Sequence, residues 1–231
     1  MLENRLKETV VDYLNKAKAA GLFNELEEVT IDMWDGYAES ANEVFGDKVK
    51  IVIDLFHVIK NFQEELTKAR RACQKSLSKE EAKALKGSRW LWCTNSENLT
   101  SEKLIQLNEL KKEFPTLSIL HDFKESLQGI FRDKGITTTE SGGLKLREWI
   151  EKARQLGFDA IDSFIKTLEN WFDKIVNYFP NRSSNGRTEG FNRGLRTILW
   201  RACGMQNFSN FRLRVLQAFS LKRPEHYFQQ I

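Results

Sequence analysis

The sequence predicts an α/β protein that is mostly helical, and three observations carry that prediction. Glycine and proline together make 16 of 231 residues, roughly 7% where about 12% is usual, which leaves little chain for turns and argues against an all-β sandwich. Two short β-branched runs flank a stretch of helical spacing near the amino terminus. From His57 onward the apolar residues recur at helical intervals almost to the end.

Taken in order, Leu2, Leu6, Val10, Tyr13, Leu14 and Ala17 fall three and four apart with Gly21 behind them, which predicts an amphipathic helix over 2–20. Val29 to Ile31 is a β-branched strand closed by Asp32. Lys48 to Ile53 (KVKIVI) is another, closed by Asp54. Between them DGYAESANEVF (35–45) has helical spacing. Strand, helix, strand over about 25 residues describes a right-handed parallel crossover with both carboxylates at strand carboxyl ends. In open α/β sheets that is the edge where ligands bind. Two strands fall short of the usual sheet of about four to six, so more of the sheet is expected from elsewhere. The helices that follow are broken near Ser78, at 94–100, at Pro115, at 137–143 and at 180–186.

The composition, 41% hydrophobic and 29% charged, excludes a disordered or fibrous chain. No run reaches the roughly 18 apolar residues of a membrane span. Met1 is followed by Glu3, Arg5, Lys7 and Glu8 where a signal peptide would be apolar, so an intracellular, cytoplasmic chain is expected. Cys73, Cys93 and Cys203 contain no C-x-x-C pair, and with His57, His121 and His226 they have no zinc-ribbon spacing. Reduced thiols are expected. The net charge of +4 is unevenly spread. From Asn181 to the end, nine Lys or Arg stand against Glu189 and Glu225, a net of +7, while residues 1–180 hold 27 basic and 30 acidic groups. The tail interleaves these cations with Phe191, Trp200, Phe208 and Phe211, as a phosphate-backbone partner would require; a solvated helix face would read the same way.

Three places carry residues suited to chemistry. They are Asp32 in TIDMWDGY (30–37), Asp54 with His57 in IVIDLFHVIKN (51–61), and Glu189 in NRSSNGRTEGFNRGLR (181–196). A carboxylate directly after a strand is rigidly held at an open sheet edge, which suits it to a divalent cation. The plainer reading of such acids is a turn or a helix cap, with Asp35 capping the helix after the first strand. His57 stands three residues after Asp54, where the two share a helix face and exchange a hydrogen bond; a half-buried packing histidine is the alternative. Glu189 opens a helix behind a loop rich in Gly, Ser and Asn, beside Arg187, Arg193 and Arg196. It reads either as helix-dipole complementarity or as an acid placed where phosphate and metal meet. Of the six tryptophans, Trp149 and Trp171 fall at core spacing.

These three blocks in this order, followed by NFSNFRLRVLQAF (207–219), resemble the DDE transposases of the ISL-three (ISL3) group of bacterial insertion sequences. LKGSRWLWCTNSENLT (85–100) and SILHDFKESLQGIF (118–131) fit as well. The resemblance implies a truncated RNase H-like core interrupted by a helical insertion. It implies a partial core over 1–62, the insertion over 63–176, and basic carboxyl-terminal helices over 177–231 that complete the core with Glu189. Asp32 matches the second Asp of the triad, Asp54 and His57 the acid-x-x-His signature, and Glu189 the terminal Glu. Asp54 also ends a strand, so it competes with Asp32 for the role of second acid. The group uses Mg²⁺ or Mn²⁺ in pairs, with Asp32, Glu189 and Asp54 as the expected metal ligands. Arg187, Arg193, Arg196, Arg201, Arg212 and Arg214 are expected to contact DNA, both transposon ends and target.

The family's first Asp lies on a strand upstream of a helix like 2–20, and this sequence opens at that helix. The expectation is therefore the carboxyl-terminal part of a transposase, one acid short of a triad, acting in DNA transposition as a homo-oligomer or with an upstream transposase piece. A non-catalytic DNA-binding or regulatory remnant is the alternative.

Overall fold

The computed structural model describes residues 2 and 4–219; Lys222, Arg223, Glu225 and His226 of the basic tail lie outside the described residues. The chain divides into two units, one of Glu25–Ser183 and one joining Met1–Asn24 to Ser184–Ile231. The smaller unit holds α1 (Lys7–Ala19), and the larger unit begins with β1 (Glu28–Ile31), α2 (Asp35–Phe45) and β2 (Lys50–Ile53). The larger unit continues through α3 (Leu55–Ser76), α4 (Lys79–Leu85), α5 (Arg89–Cys93), α6 (Ser101–Glu113), α7 (Pro115–Arg132) and α8 (Thr139–Arg154). It closes with α9 (Asp159–Asn170), α10 (Phe172–Val176) and α11 (Tyr178–Asn181); α12 (Gly186–Arg201) and α13 (Phe208–Phe219) belong to the smaller unit. The expected class, a mostly helical α/β chain with short parallel strands of RNase H-like kind, is the one observed.

β1 and β2 pair in parallel, Val29 opposite Ile51 and Ile31 opposite Ile53. The β-branched runs form the strands because their stiff side chains suit a pleated, buried surface; Val52 and Ile53 are fully buried. Lys50 and Asp54 donate their N–H groups to Glu27 and Ile31, so Ile51 turns its own backbone groups away from β1. On that far side Asn177 Nδ2 donates to the Ile51 carbonyl at 2.9 Å, and α10 lies against the strand. β1 has β2 as its one strand neighbour among the described residues. The Glu28 carboxylate on β1 is held by Asn181 Nδ2 at 2.7 Å and Ser183 Oγ at 2.6 Å.

α3 is the axis of the larger unit, with α5, α7 and α9 packed along it. Phe62 meets the ring of Phe164 edge-on at 4.7 Å and that of Trp149 at 6.0 Å. Trp149 is buried as its spacing predicts, its indole N–H donating to Ser126 Oγ at 2.9 Å. Trp171 is only half-buried, and the core position falls instead to Trp92, 1% exposed.

Several expectations need correcting. α1 starts at Lys7, not at residue 2. Asp35 does not cap α2; Trp34 holds that position and Asp35 lies in the first turn, where its charge suits the helix dipole. The break expected at Pro115 is found between α6 and α7, and Pro115 starts α7 because a helix's first residue needs no N–H partner. The break at 137–143 is shorter than expected. α8 begins at Thr139 behind a reciprocal Thr138–Ser141 cap and runs through both glycines. Gly142 is required by packing, since a Cβ there would collide with the Phe179 ring. Arg182, which the sequence groups with the basic tail, has a structural task. In a left-handed conformation (φ 53°), it donates to the carbonyls of Phe131 at 2.7 Å and Ile136 at 2.9 Å, and to that of Asp133. It thereby satisfies the carboxyl end of α7 and the turn behind it.

Candidate active site

The two strand-terminal aspartates have different surroundings. Asp54, 4% exposed, is the N-cap of α3, and its Oδ1 accepts the Phe56 N–H at 3.2 Å. The capping role open to any such aspartate belongs to this one. Asp32 is more open, and its Oδ1 lies 3.0 Å from His57 Nε2. The cap at Asp54 fixes where α3 begins, and His57, in the first turn, reaches across the sheet end to the acid of the other strand. The expected exchange between Asp54 and His57 therefore gives way to a pairing of Asp32 with His57. One ligand atom each from Asp32, Asp54 and His57 lie within 4.8 Å of one another. The exposed Phe56 stands edge-on to the His57 ring at 5.3 Å.

Glu189 lies in the smaller unit, in the first turn of α12, where the expected acid at a helix start is found. Arg187, Arg193 and Arg196 share that helix. Arg201 at its end and Arg212 and Arg214 on α13 complete the set, and all six guanidiniums are exposed. α12 and α13 meet through Phe191 and Phe219, ring centroids 5.2 Å apart. Gly194 lets Phe219 close in, since an added Cβ would lie 2.6 Å from its Cζ. Within the larger unit the fold thus gathers Asp32, Asp54 and His57; Glu189 and the arginines are gathered in the other.

A second group of polar side chains gives little sign of itself in the sequence. His121, Asp122 and Glu125 on α7 also bring ligand atoms within 4.8 Å of one another, but their charges are already spoken for. Lys111 Nζ holds Asp122 Oδ1 at 2.6 Å, and Glu125 accepts the Ser96 N–H and hydroxyl. Lys124, fully buried, donates to the carbonyls of Trp92 at 3.1 Å, Cys93 at 3.1 Å and Thr94 at 2.9 Å, closing the carboxyl end of α5. Burial pushes the Lys124 ammonium down to about 8. Burial, then the Lys124 and Lys111 charges, pushes His121 down to about 4. Two ammonium groups beside two carboxylates leave a cation little to gain, so this is a buried polar brace. Its one signal in the sequence is the placing of His121 and Lys124 on the same helix stripe as Leu117, Leu120 and Leu127.

A partly open strand-end carboxylate paired with a histidine, beside a second aspartate that is buried, is a donor set of the kind that divalent cations take at the strand ends of α/β sheets. Comparison with known proteins narrows this to a family. The family model for ISL3-type DDE transposases, described as a transposase, matches residues 1–215. The chain is 26% identical over 203 residues to the transposase for insertion sequence element IS1001 of Bordetella parapertussis, which covers 86% of this chain and 49% of that protein. It spans about half the length of that relative. No solved structure matches it. The chain belongs to the ISL3 family of DDE transposases.

Proposed function

We propose that these residues contribute the second and final acids, Asp32 and Glu189, to a two-metal centre that cuts and joins DNA strands during transposition. The observation that carries the reading is the placing of Asp32 at the end of a parallel strand, 3.0 Å from His57 and beside Asp54. The donor set suits Mg²⁺ or Mn²⁺, since carboxylate oxygens are the hard ligands these ions prefer. When bound, a metal pair activates the attacking water or 3′ hydroxyl and stabilises the departing 3′ oxygen.

The chain's own residues do the positioning. Asp32 and Glu189 would hold the metals, with Asp54, the cap that fixes the local backbone, as a further ligand. His57 orients the Asp32 carboxylate in the manner of outer-shell partners that steady metal ligands. Arg187, Arg193, Arg196, Arg201, Arg212 and Arg214 bind backbone phosphates, largely without regard to sequence. In this reading the first acid of the triad is supplied by a further strand that adds to β1.

The test is Mg²⁺-dependent nicking of supercoiled DNA. The chain by itself is expected to nick no faster than its Asp32→Asn variant. A polypeptide carrying the family's first-acid strand, supplied in trans, is expected to restore nicking that Asp32→Asn and Glu189→Gln each abolish. Salt-sensitive DNA binding with no nicking under any complementation would favour the non-catalytic remnant. Nicking by the chain alone that Glu189→Gln removes would refute the need for an outside acid.

A further inference from the structure

Away from the strand ends, the larger unit carries a second concentration of positive charge that the carboxyl-terminal arginines do not account for. Residues 68–89 hold eight Lys or Arg against Glu80 and Glu81. Of the cations, Arg70 is turned inward, its guanidinium on the Leu85 carbonyl at 2.9 Å. Lys68 is paired with Glu65. Arg71, Lys75, Lys79, Lys83, Lys86 and Arg89 are exposed, and none has an ion-pair partner among the described residues. Of the two acids, Glu81 is engaged in the reciprocal cap with Ser78. Six such cations against two carboxylates leave the patch poorly neutralised from within.

The arrangement is rigid where it needs to be. Arg70 and Gln74 pin α4 to the last turns of α3, the latter through Gln74 Nε2 to the Ala82 carbonyl at 3.0 Å. Arg71 and Lys75 sit four apart on one face of α3, and Lys79 and Lys83 four apart on one face of α4. At Gly87 the chain turns through a left-handed conformation (φ 78°) that a side chain would resist. Beyond it stands Trp90, 68% exposed, with the Arg89 guanidinium 4.9 Å from its ring. An exposed indole with a guanidinium over its ring is dispensable for packing and suited to a sugar–phosphate or base surface.

We propose that the carboxyl end of α3 with α4 and the Arg89–Trp90 corner is a second DNA-backbone contact, gripping the duplex at a fixed distance from the cut. The proposal rests on the reading of Asp32 and His57 as the place of cleavage. α3 is one unbroken helix from Leu55 to Ser76, so at about 1.5 Å per residue Arg71 and Lys75 stand about 21–27 Å along it from His57. At about 3.4 Å per base pair that is roughly six to eight base pairs of one duplex. The site's distance from the cut makes it a positioning surface.

The experiment is fluorescence anisotropy of a labelled duplex of about 30 base pairs of arbitrary sequence, titrated with the full chain over a series of salt concentrations. The variant Arg71→Gln, Lys75→Gln, Lys79→Gln, Lys83→Gln is expected to bind at least about tenfold more weakly near 0.1 M salt. Its slope of log affinity against log salt is expected to be shallower by about 2–4, given about 0.9 for each phosphate no longer neutralised. Trp90→Ala alone is expected to weaken binding several-fold with the slope unchanged. Far-ultraviolet circular dichroism and urea midpoints matching the native chain show that the surface variants fold. An unchanged slope in the fourfold variant, with the native chain still binding DNA, overturns this proposal and leaves the transposase reading intact. A native chain that binds no DNA overturns both. A variant that loses affinity for an RNA duplex or an acidic polypeptide but not for DNA also overturns it, since the occupant is then not DNA.

Discussion

His57 Nε2 and Asp32 Oδ1 stand 3.0 Å apart, although one belongs to the start of α3 and the other to the end of β1. They meet because Asp54 caps its own helix and so sets the direction in which His57 points. The cap, the histidine and the strand-end acid act as one assembly, and each step depends on the one before it.

A first expected outcome follows for that assembly. In the complemented nicking reaction, His57→Ala is expected to lower the rate about ten- to hundredfold, the range typical for removing an outer-shell partner of a metal ligand. His57→Gln, which keeps a donor, is expected to recover part of the loss. Equal rates for His57→Ala and the native chain would separate His57 from the chemistry.

The buried brace on α7 makes stability depend on pH with a definite sign. His121 titrates at about 4 in the folded protein, below its ordinary value of 6.5. Between those values the unfolded chain binds more protons than the folded one, so stability rises as pH climbs from about 4 to 6.5. Lys124, lowered from 10.5 to about 8, acts in the same direction between those two values. Urea midpoints measured across the lower window are expected to climb in the native chain and to flatten in His121→Leu. A native profile that falls over the same range would contradict the burial of His121 as a neutral ring.

Gly142→Ala is expected to destabilise the larger unit by about 1–3 kcal/mol, the usual cost of overpacking a filled core. The Phe179 ring occupies the space the new methyl would need. Phe179→Leu in the same chain should return part of the loss, measured by urea denaturation. A neutral Gly142→Ala would mean the helix yields there.

Arg182 and Arg187 are close in sequence but are expected to fail differently. Arg182→Ala strips donors from the Phe131, Asp133 and Ile136 carbonyls and is expected to cost about 1–3 kcal/mol in stability. Its DNA affinity, corrected for folding, should not move. Arg187→Ala is expected to leave stability alone and to lower the salt slope of DNA binding by about 0.9. Exchange of the two phenotypes would refute both assignments.

How much of the molecule is legible in its sequence follows the range of the physics involved. The 35–45 helix is legible to the residue because the pattern passes from β-branched alternation to a period of 3.6 and back within a short span. Both strands show themselves in stiff, apolar runs and in the acids that end them. Gly142 misleads because glycine usually marks a break, and here it answers a ring arriving from residues far along the chain. The partner of His57 is invisible in the sequence, since it turns on whether Asp54 spends its carboxylate on the backbone. Lys124 and His121 look like ordinary members of an amphipathic helix, and only the fold shows them buried against the carbonyls that end α5.

The amide of Asn177 on the Ile51 carbonyl gives the two-stranded sheet a direction of growth. One margin is sealed by a side chain that competes for the acceptor a new strand would need, so a further strand would join at the opposite margin, that of β1, which Asp32 follows. A strand joining there would lie shoulder to shoulder with that acid, so under the proposed two-metal reading the sheet's enlargement and the completion of the acid cluster would be a single event.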